Sequence, residues 1–123
     1  MRRVVDGDGR AWSLPPEGLL LTAIFADDLG VRAGDTLEVE VIHTPGHTPG
    51  QLAVHVPEER VVFTGDTIFS GCQTWLMTSD VDGWLAALER IRTLDVDWIC
   101  PGHGPVVPKS YLDVQRSHLM EWK

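Results

Sequence analysis

The 123-residue sequence predicts an α+β domain with a mixed or antiparallel sheet and helices on one face of that sheet. Three observations support this fold class. Alternating apolar and polar residues predict strands in the first part of the chain. A later segment with apolar residues three and four positions apart predicts an amphipathic helix. A short strand and a second helix follow, so the order is strands first and then β–α–β–α.

The N-terminal region is predicted to differ from the rest of the chain. Residues 1–33 are interpreted as an irregular arm with one short element, and residues 34–123 as the main domain. Residues 1–18 are rich in glycine, proline and charge. Residues 19–29 fit a short helix or a buried strand equally well.

Three strands are predicted at the start of the main domain. They cover Thr36–Ile42, Gln51–Val56 and Arg60–Thr64. The turn Pro57-Glu58-Glu59 predicts that the last two pair as a hairpin. In the second strand, the alternation predicts that the inward side chains are Leu52, Val54 and Val56.

Two helices and one more strand are predicted after these strands. The first helix covers Val81–Thr93, and Ser79 with Asp82 resembles its capping box. A strand over Val96–Cys100 follows. The second helix starts near Ser110 and runs towards Trp122, with Asp113 in the capping position. Trp84 and Trp98 are predicted to be core residues, whereas Trp75 either packs or lines a substrate pocket.

Composition and charge exclude several classes of function. The formal net charge is −8, and an acidic surface repels phosphate backbones, so we expect no nucleic-acid partner. The longest apolar run, around Leu19–Leu21, is far shorter than the roughly 20 residues that span a bilayer. No membrane partner and no signal peptide are therefore expected. The two cysteines have no zinc-knuckle spacing, and we expect a reducing, cytoplasmic setting.

Three glycine- and proline-rich loops are each predicted to follow a strand and to carry a metal-binding side chain. They contain His47, Asp66 and His103. Glycine allows a sharp bend close to an ion, and proline stiffens the turn. Imidazole and carboxylate together suit zinc, iron or manganese. Each loop alone is weak evidence, whereas three such loops in this order predict a metal site.

The motifs around these residues resemble those of the metallo-β-lactamase superfamily. HTPGHTPG contains the family's TPGHT motif, FTGDTIF matches its metal-bridging aspartate motif, and PGHGPV matches its last histidine motif. The resemblance implies half of an αββα sandwich with a two-metal site, zinc being the expected metal. It also implies that His47 binds the first metal, Asp66 bridges both and His103 binds the second. His43 lies outside the ligand position and is expected to be structural.

The family's HxHxDH motif has no counterpart here, because no histidine precedes His43. The resemblance therefore implies the C-terminal half of the fold, with a partly formed metal site and no assigned catalytic residue. We expect an isolated monomer to bind metal weakly and to lack full activity. An exposed sheet face seeks a partner, so we expect either a homodimer or a separate N-terminal half.

Two functions remain open on the sequence alone. The first is metal-dependent hydrolysis of a small thioester, lactone or ester, by this chain or by a larger protein of which it is a fragment. The second is a non-catalytic, degenerate half-domain that acts in assembly. Metal content measured together with oligomeric mass separates the two.

Overall fold

The computed structural model describes residue 32 and residues 38–77 and 79–123. The predictions for the N-terminal arm therefore lie outside the described residues. The described part of the chain contains five strands and two helices. In chain order these are β1 (Glu40–His43), β2 (Leu52–Val56), β3 (Val61–Phe69), α1 (Val81–Arg92), β4 (Trp98–His103), β5 (Val107–Pro108) and α2 (Tyr111–Met120).

The five strands form one mixed sheet in the order β1-β2-β3-β4-β5. All neighbouring pairs are antiparallel except β3 and β4, which are parallel. Strands β1, β3 and β4 consequently run in the same direction. Side chains from both helices join one core cluster with sheet residues such as Val62 and Ile99, so the helices cover the same face. The predicted fold class is confirmed.

The predicted hairpin is present as β2 and β3, with Val56 paired to Val61. Arg60 completes its turn with a positive φ of 54°, and the Arg60 amide donates to the Pro57 carbonyl at 3.1 Å. Strand β3 extends to Phe69, five residues beyond the predicted end at Thr64. The prediction of a loop around Asp66 is therefore wrong, because β3 continues to pair with its parallel neighbour β4.

The predicted inward face of β2 is only partly correct, because Val56 is buried but lies outside the core cluster that contains the helices. Leu52 is 50% exposed, whereas Ala53 is fully buried in the cluster that contains the helices. His55 shares that face by alternation, is buried, and lies with Nδ1 2.9 Å from a Glu40 carboxylate oxygen. Both faces of the sheet carry apolar side chains, so alternation alone did not indicate which face the helices cover.

The same ambiguity explains the two tryptophan predictions. Trp84 of α1 is fully buried, as predicted. Trp98 of β4 is 51% exposed, so its prediction as core is wrong. The next residue, Ile99, is fully buried and occupies the helix-covered face instead.

The helix boundaries agree with the prediction to within two residues, but the capping contacts differ. Asp80, rather than Ser79, caps α1, because its carboxylate accepts from the Gly83 amide at 3.1 Å. In α2, Ser110 occupies the N-cap position without a side-chain cap bond. Asp113 instead accepts from Arg92 of α1 at 2.6 Å. No helix among the described residues has the length and apolar character to cross a membrane.

An ion pair connects the β2–β3 turn to the start of β4. Arg60 donates to both carboxylate oxygens of Asp97, at 2.8 and 2.9 Å, and also to Asp95. These hydrogen bonds with Arg60 hold the pKa of Asp97 below its ordinary value of 3.8. A lowered carboxyl pKa stabilises the fold above the unfolded-state pKa, and the contribution is lost as the pH falls through the folded-state value.

We expect Arg60→Gln to lower the thermal unfolding midpoint by a small amount at pH 7, because the pair is exposed to solvent. The difference from wild type should disappear as the pH falls below 3.8 and the Asp97 carboxylate is protonated. Calorimetry from pH 7 to pH 2.5 measures it. Arg116→Gln is the control, because Arg116 contacts Glu89 only at 3.9 Å. A difference between Arg60→Gln and wild type that stays constant with pH would contradict this assignment.

Candidate metal centre

The strand directions bring the three predicted metal ligands to one edge of the sheet. The carboxyl ends of β1, β3 and β4 lie at that edge, because these strands run the same way. His47 follows the end of β1 by four residues, Asp66 lies within β3, and His103 is the last residue of β4. The last two were predicted in loops after strand ends, whereas the structure places both inside strands.

Irregular pairing between β3 and β4 determines where Asp66 points. Gly65 pairs with Pro101 and Phe69 pairs with His103, so four steps along β3 match two steps along β4. The extra residues of β3 form a bulge that contains Asp66. Bulges redirect side chains and occur next to functional sites. Here the bulge directs the Asp66 carboxylate towards the two histidines.

The two imidazoles approach different oxygens of the Asp66 carboxylate. Nε2 of His47 lies 3.6 Å from Oδ2, and Nε2 of His103 lies 3.3 Å from Oδ1. Two donors bound at about 2.0–2.2 Å to one tetrahedral ion stand about 3.4 Å apart. Each histidine–carboxylate pair therefore has the spacing of two ligands on one ion, with Asp66 common to both pairs.

The chemistry of this donor set fits metal binding as two pairs rather than as one complete site. Among the described residues, no three His, Cys, Asp or Glu side chains converge to hold a single ion. The side chains are 14% exposed for His47, 36% for Asp66 and 59% for His103, so the centre opens to solvent on the His103 side.

Backbone contacts fix the orientation of His47. Its Nδ1 lies 3.2 Å from the Trp75 carbonyl oxygen. A carbonyl oxygen only accepts, so a hydrogen bond here needs a proton on Nδ1, and Nε2 is the ring nitrogen that faces Asp66. A backbone carbonyl on the second ring nitrogen is a common support for metal-binding histidines.

Two buried aromatic side chains separate the centre from the core. The Phe69 ring stacks on His103 with centroids 5.2 Å apart and meets His47 edge-on at 5.6 Å. Trp84 meets His47 edge-on at 5.3 Å, and its Nε1 donates to the Thr67 carbonyl at 2.8 Å. Both imidazoles thus rest on one apolar wall. The sequence interpretation missed this role, although Phe69 lies within the aspartate motif.

A buried glutamine holds this wall and the following loop together. Gln115 of α2 is fully buried; its Oε1 accepts from the Phe69 amide at 3.1 Å, and its Nε2 donates to the Thr74 hydroxyl at 3.1 Å. The sequence contained a signal for this role. Gln115 is a polar residue on the same helix face as Leu112 and Leu119, which indicates a buried polar contact.

Two glycines permit the close approaches that form the centre. A Cβ on Gly46 would meet the α1 backbone at Trp84, with the amide nitrogen 2.7 Å away, and Gly46 has a φ of 150°. A Cβ on Gly102 would collide with the Asp66 carboxylate and lie 2.6 Å from the Gly65 carbonyl carbon. Only glycine therefore allows α1 and β4 to come this close to the ligand-bearing segments.

The remaining histidines have other partners. Nε2 of His43 lies 2.8 Å from the Pro49 carbonyl oxygen, which closes the loop that carries His47. This contact agrees with the structural role expected for His43. His55 lies in β2, and His118 lies in α2.

The sequence of residues 3–103 matches the profile of the Metallo-beta-lactamase superfamily. The chain belongs to this family. Its relatives include a beta-lactamase-like protein 2 homolog of Caenorhabditis elegans, 35% identical over 69% of this chain and 28% of the relative. The human acyl-coenzyme A thioesterase MBLAC2 is 31% identical over 67% of this chain and 31% of the relative. The hydroxyacylglutathione hydrolase of Brucella ovis is 47% identical over 37% of this chain and 20% of the relative.

Solved structures of the superfamily share the fold. A metallo-beta-lactamase from Pontibacter korlensis matches with a TM-score of 0.61 and 25% identity, over 80% of this chain and 54% of that chain. FIM-1 from Pseudomonas aeruginosa, in its mono-zinc form, matches with a TM-score of 0.57 and 28% identity, over 66% of this chain and 38% of that chain. The chain thus spans about 20–31% of these curated relatives and about half or less of these structures.

Gly46→Ala should destabilise the fold by about 1–3 kcal/mol, because it adds a clash with α1 and strains the backbone. Gly50→Ala is the matched control in the same loop, since nothing lies within 4 Å of its Cβ position. It should change stability by less than about 0.5 kcal/mol. Urea unfolding of both variants measures the difference. Equal midpoints for the two variants would show that the Gly46 contact with α1 is not required.

Proposed function

We propose that this chain supplies half of the metal-binding residues of a two-metal hydrolase that cleaves acyl thioesters. In this proposal, zinc is the metal, His47 and Asp66 bind one ion, and Asp66 and His103 bind the other. The chain corresponds to the C-terminal half of the family domain. Hydrolysis then requires further ligands from a second copy or from another polypeptide segment.

One observation carries the proposal. The Nε2 atoms of two histidines lie 3.6 and 3.3 Å from separate oxygens of a single carboxylate. A structural ion pair has no need for two imidazoles that face one aspartate in this way. Membership of a metal-dependent hydrolase family adds support, as does the spacing expected for pairs of ligands on one ion.

A bound zinc pair would lower the pKa of a water molecule and polarise the carbonyl oxygen of the substrate. The chain's own residues prepare the donors. The Trp75 carbonyl orients the His47 ring with Nε2 towards Asp66, and the ring of Phe69 supports both imidazoles. Close packing at Gly102 keeps β4 against Asp66, so the donor separations are fixed before any ion binds.

The names of two relatives support an acyl substrate. One is an acyl-coenzyme A thioesterase, and another is a hydrolase of hydroxyacylglutathione. Both names describe an acyl group joined to a carrier molecule. Lactone and ester hydrolysis remain within the same reaction type, and the choice of a thioester rests on these two relatives.

Zinc titration against a chelator of known affinity tests the ligand assignment. Asp66→Asn should weaken zinc binding by at least about tenfold, because it removes the charge common to both pairs. His118→Gln is the control, since His118 lies on α2 and outside the centre. If Asp66→Asn and His118→Gln bind zinc as wild type does, the assignment of Asp66 is wrong. Stoichiometric zinc at micromolar affinity in a proven monomer would contradict the need for further ligands.

The face of the sheet opposite the helices supports the proposal of a second copy. Val41 is 63% exposed and Leu52 is 50% exposed, on the two adjacent antiparallel strands β1 and β2. Trp98 of β4, which is 51% exposed, adds a large apolar side chain. Contiguous exposed apolar surface of this kind is typical of an interface. An isologous dimer would bury this face on both copies.

Light scattering after size exclusion tests the dimer against the chain mass of 13.6 kDa. We expect a dimer for wild type and a monomer for Val41→Lys, because the lysine would place a charge inside the interface. Val114→Lys, at a position 41% exposed on α2, should leave the dimer intact. If wild type is monomeric at a chain concentration of about 100 µM, the homodimer is contradicted. That concentration is well above the roughly micromolar Kd of a stable dimer. A separate complementary half would then be the partner.

One observation favours the second candidate function, a non-catalytic half-domain that acts in assembly. In the described part of the chain, each potential ion has only two protein donors, whereas a catalytic zinc usually has three. If the chain is such a non-catalytic half-domain, the dimer should form without bound zinc. Zinc that remains bound to the purified dimer favours the hydrolase.

A further inference from the structure

A groove of about 420 Å³ lies beside the candidate metal centre. Among the described residues, the side chains that line it are uncharged, namely Gln73, Thr74, Trp75, Leu76, Met77 and Trp122. Five of the six come from the segment that follows β3, and Trp122 comes from the chain end that follows α2. We refer to this feature as the Trp75–Trp122 groove. Its volume lies within the range of small-molecule sites, about 300–1,000 Å³.

Three large apolar side chains of the groove are exposed together. Trp75 is 61% exposed, Met77 is 76% exposed and Trp122 is 64% exposed. A single exposed apolar side chain needs no explanation, whereas several around one concavity mark a binding site. Tryptophan and methionine also adapt well to flexible apolar ligands.

The groove adjoins the metal centre at Trp75. The Trp75 carbonyl oxygen lies 3.2 Å from Nδ1 of His47, so the groove begins at a residue that directly contacts a candidate ligand. The adjacent Thr74 is held by Gln115, which also holds the Phe69 amide. The same buried amide therefore supports the floor of the groove and the wall of the centre.

The lining chemistry selects the kind of ligand. None of the six described lining side chains carries a charge, so they offer no charge-assisted hydrogen bond to a phosphate or a carboxylate. The apolar lining therefore suits the hydrocarbon chain of an acyl thioester better than its charged carrier. We propose that the Trp75–Trp122 groove binds the apolar acyl chain of the substrate and sets its preferred length. This inference rests on the proposed function and extends it to a substrate class with a chain of several methylenes.

The test uses S-alkyl derivatives of N-acetylcysteamine with alkyl chains of increasing length, which carry no cleavable thioester. Their binding to the full chain is followed by tryptophan fluorescence and by calorimetry. We expect the Kd to fall about two- to fourfold for each added methylene until the groove is filled. Trp75→Ala keeps the backbone carbonyl that contacts His47, and it should remove most of this dependence on length.

Val114→Ala is the control, because Val114 is exposed on α2, outside both the groove lining and the proposed dimer face. Met77→Ser provides a second groove variant if Trp75→Ala fails to fold. Affinities that do not depend on chain length, or that depend on it equally in wild type and both groove variants, would overturn the proposal. Conversion of a dimer to a monomer by Trp75→Ala would also overturn it, since the groove would then be an interface between copies.

Hydrolysis assays separate this inference from the proposed function. Length-dependent binding without thioester hydrolysis by the zinc-loaded dimer would support the groove and contradict a hydrolase completed by a second copy. Hydrolysis with equal kcat/KM for short and long acyl chains would support the hydrolase and overturn the groove. Both proposals together predict that kcat/KM rises with acyl length in wild type and rises much less in Trp75→Ala.

Discussion

The parallel pairing of β3 with β4 is the constraint on which the candidate metal centre depends. It places the carboxyl ends of both strands at one edge, and its irregular register turns Asp66 out of β3 towards His103. A regular pairing would leave Asp66 as an ordinary alternating strand residue. Glycine at position 102 makes the arrangement possible, because any side chain there would occupy the space of the Asp66 carboxylate. The relative position of Asp66 and His103 is therefore a property of the sheet itself.

The buried amide of Gln115 extends this constraint to the surroundings of the centre. A buried amide is unfavourable unless its hydrogen bonds are made, and here it bonds to the Phe69 amide and the Thr74 hydroxyl. Movement of α2 would therefore disturb both imidazoles through Phe69 and also the loop that carries Trp75. The centre and the adjacent groove share one rigid support, which explains how substrate in the groove could be positioned against the ligands.

The elements of the fold were largely predictable from local patterns, whereas their faces were not. The β2–β3 hairpin and both helices follow from alternation, turn residues and apolar spacing, all of which act over a few residues. The inward position of Leu52 on β2 and the burial of Trp98 were predicted incorrectly. A sheet with apolar residues on both faces gives no local signal for which face the helices cover. That choice depends on long-range packing, in which Ala53 and Ile99 lie with Trp84 in the helix-covered core.

In the candidate metal centre, too, some features follow from local sequence and others depend on long-range packing. His47, Asp66 and His103 could be named from the sequence because metal chemistry restricts residue type, and glycine-rich motifs mark them locally. Their supports come from distant parts of the chain: the carbonyl that orients His47 is 28 residues away, and the amide that holds Phe69 is 46 residues away. These partners need only a carbonyl or a buried amide, so no short motif identifies them. The candidate donors are thus specified locally, whereas their precise separation depends on packing by distant residues such as Gln115 and Trp84.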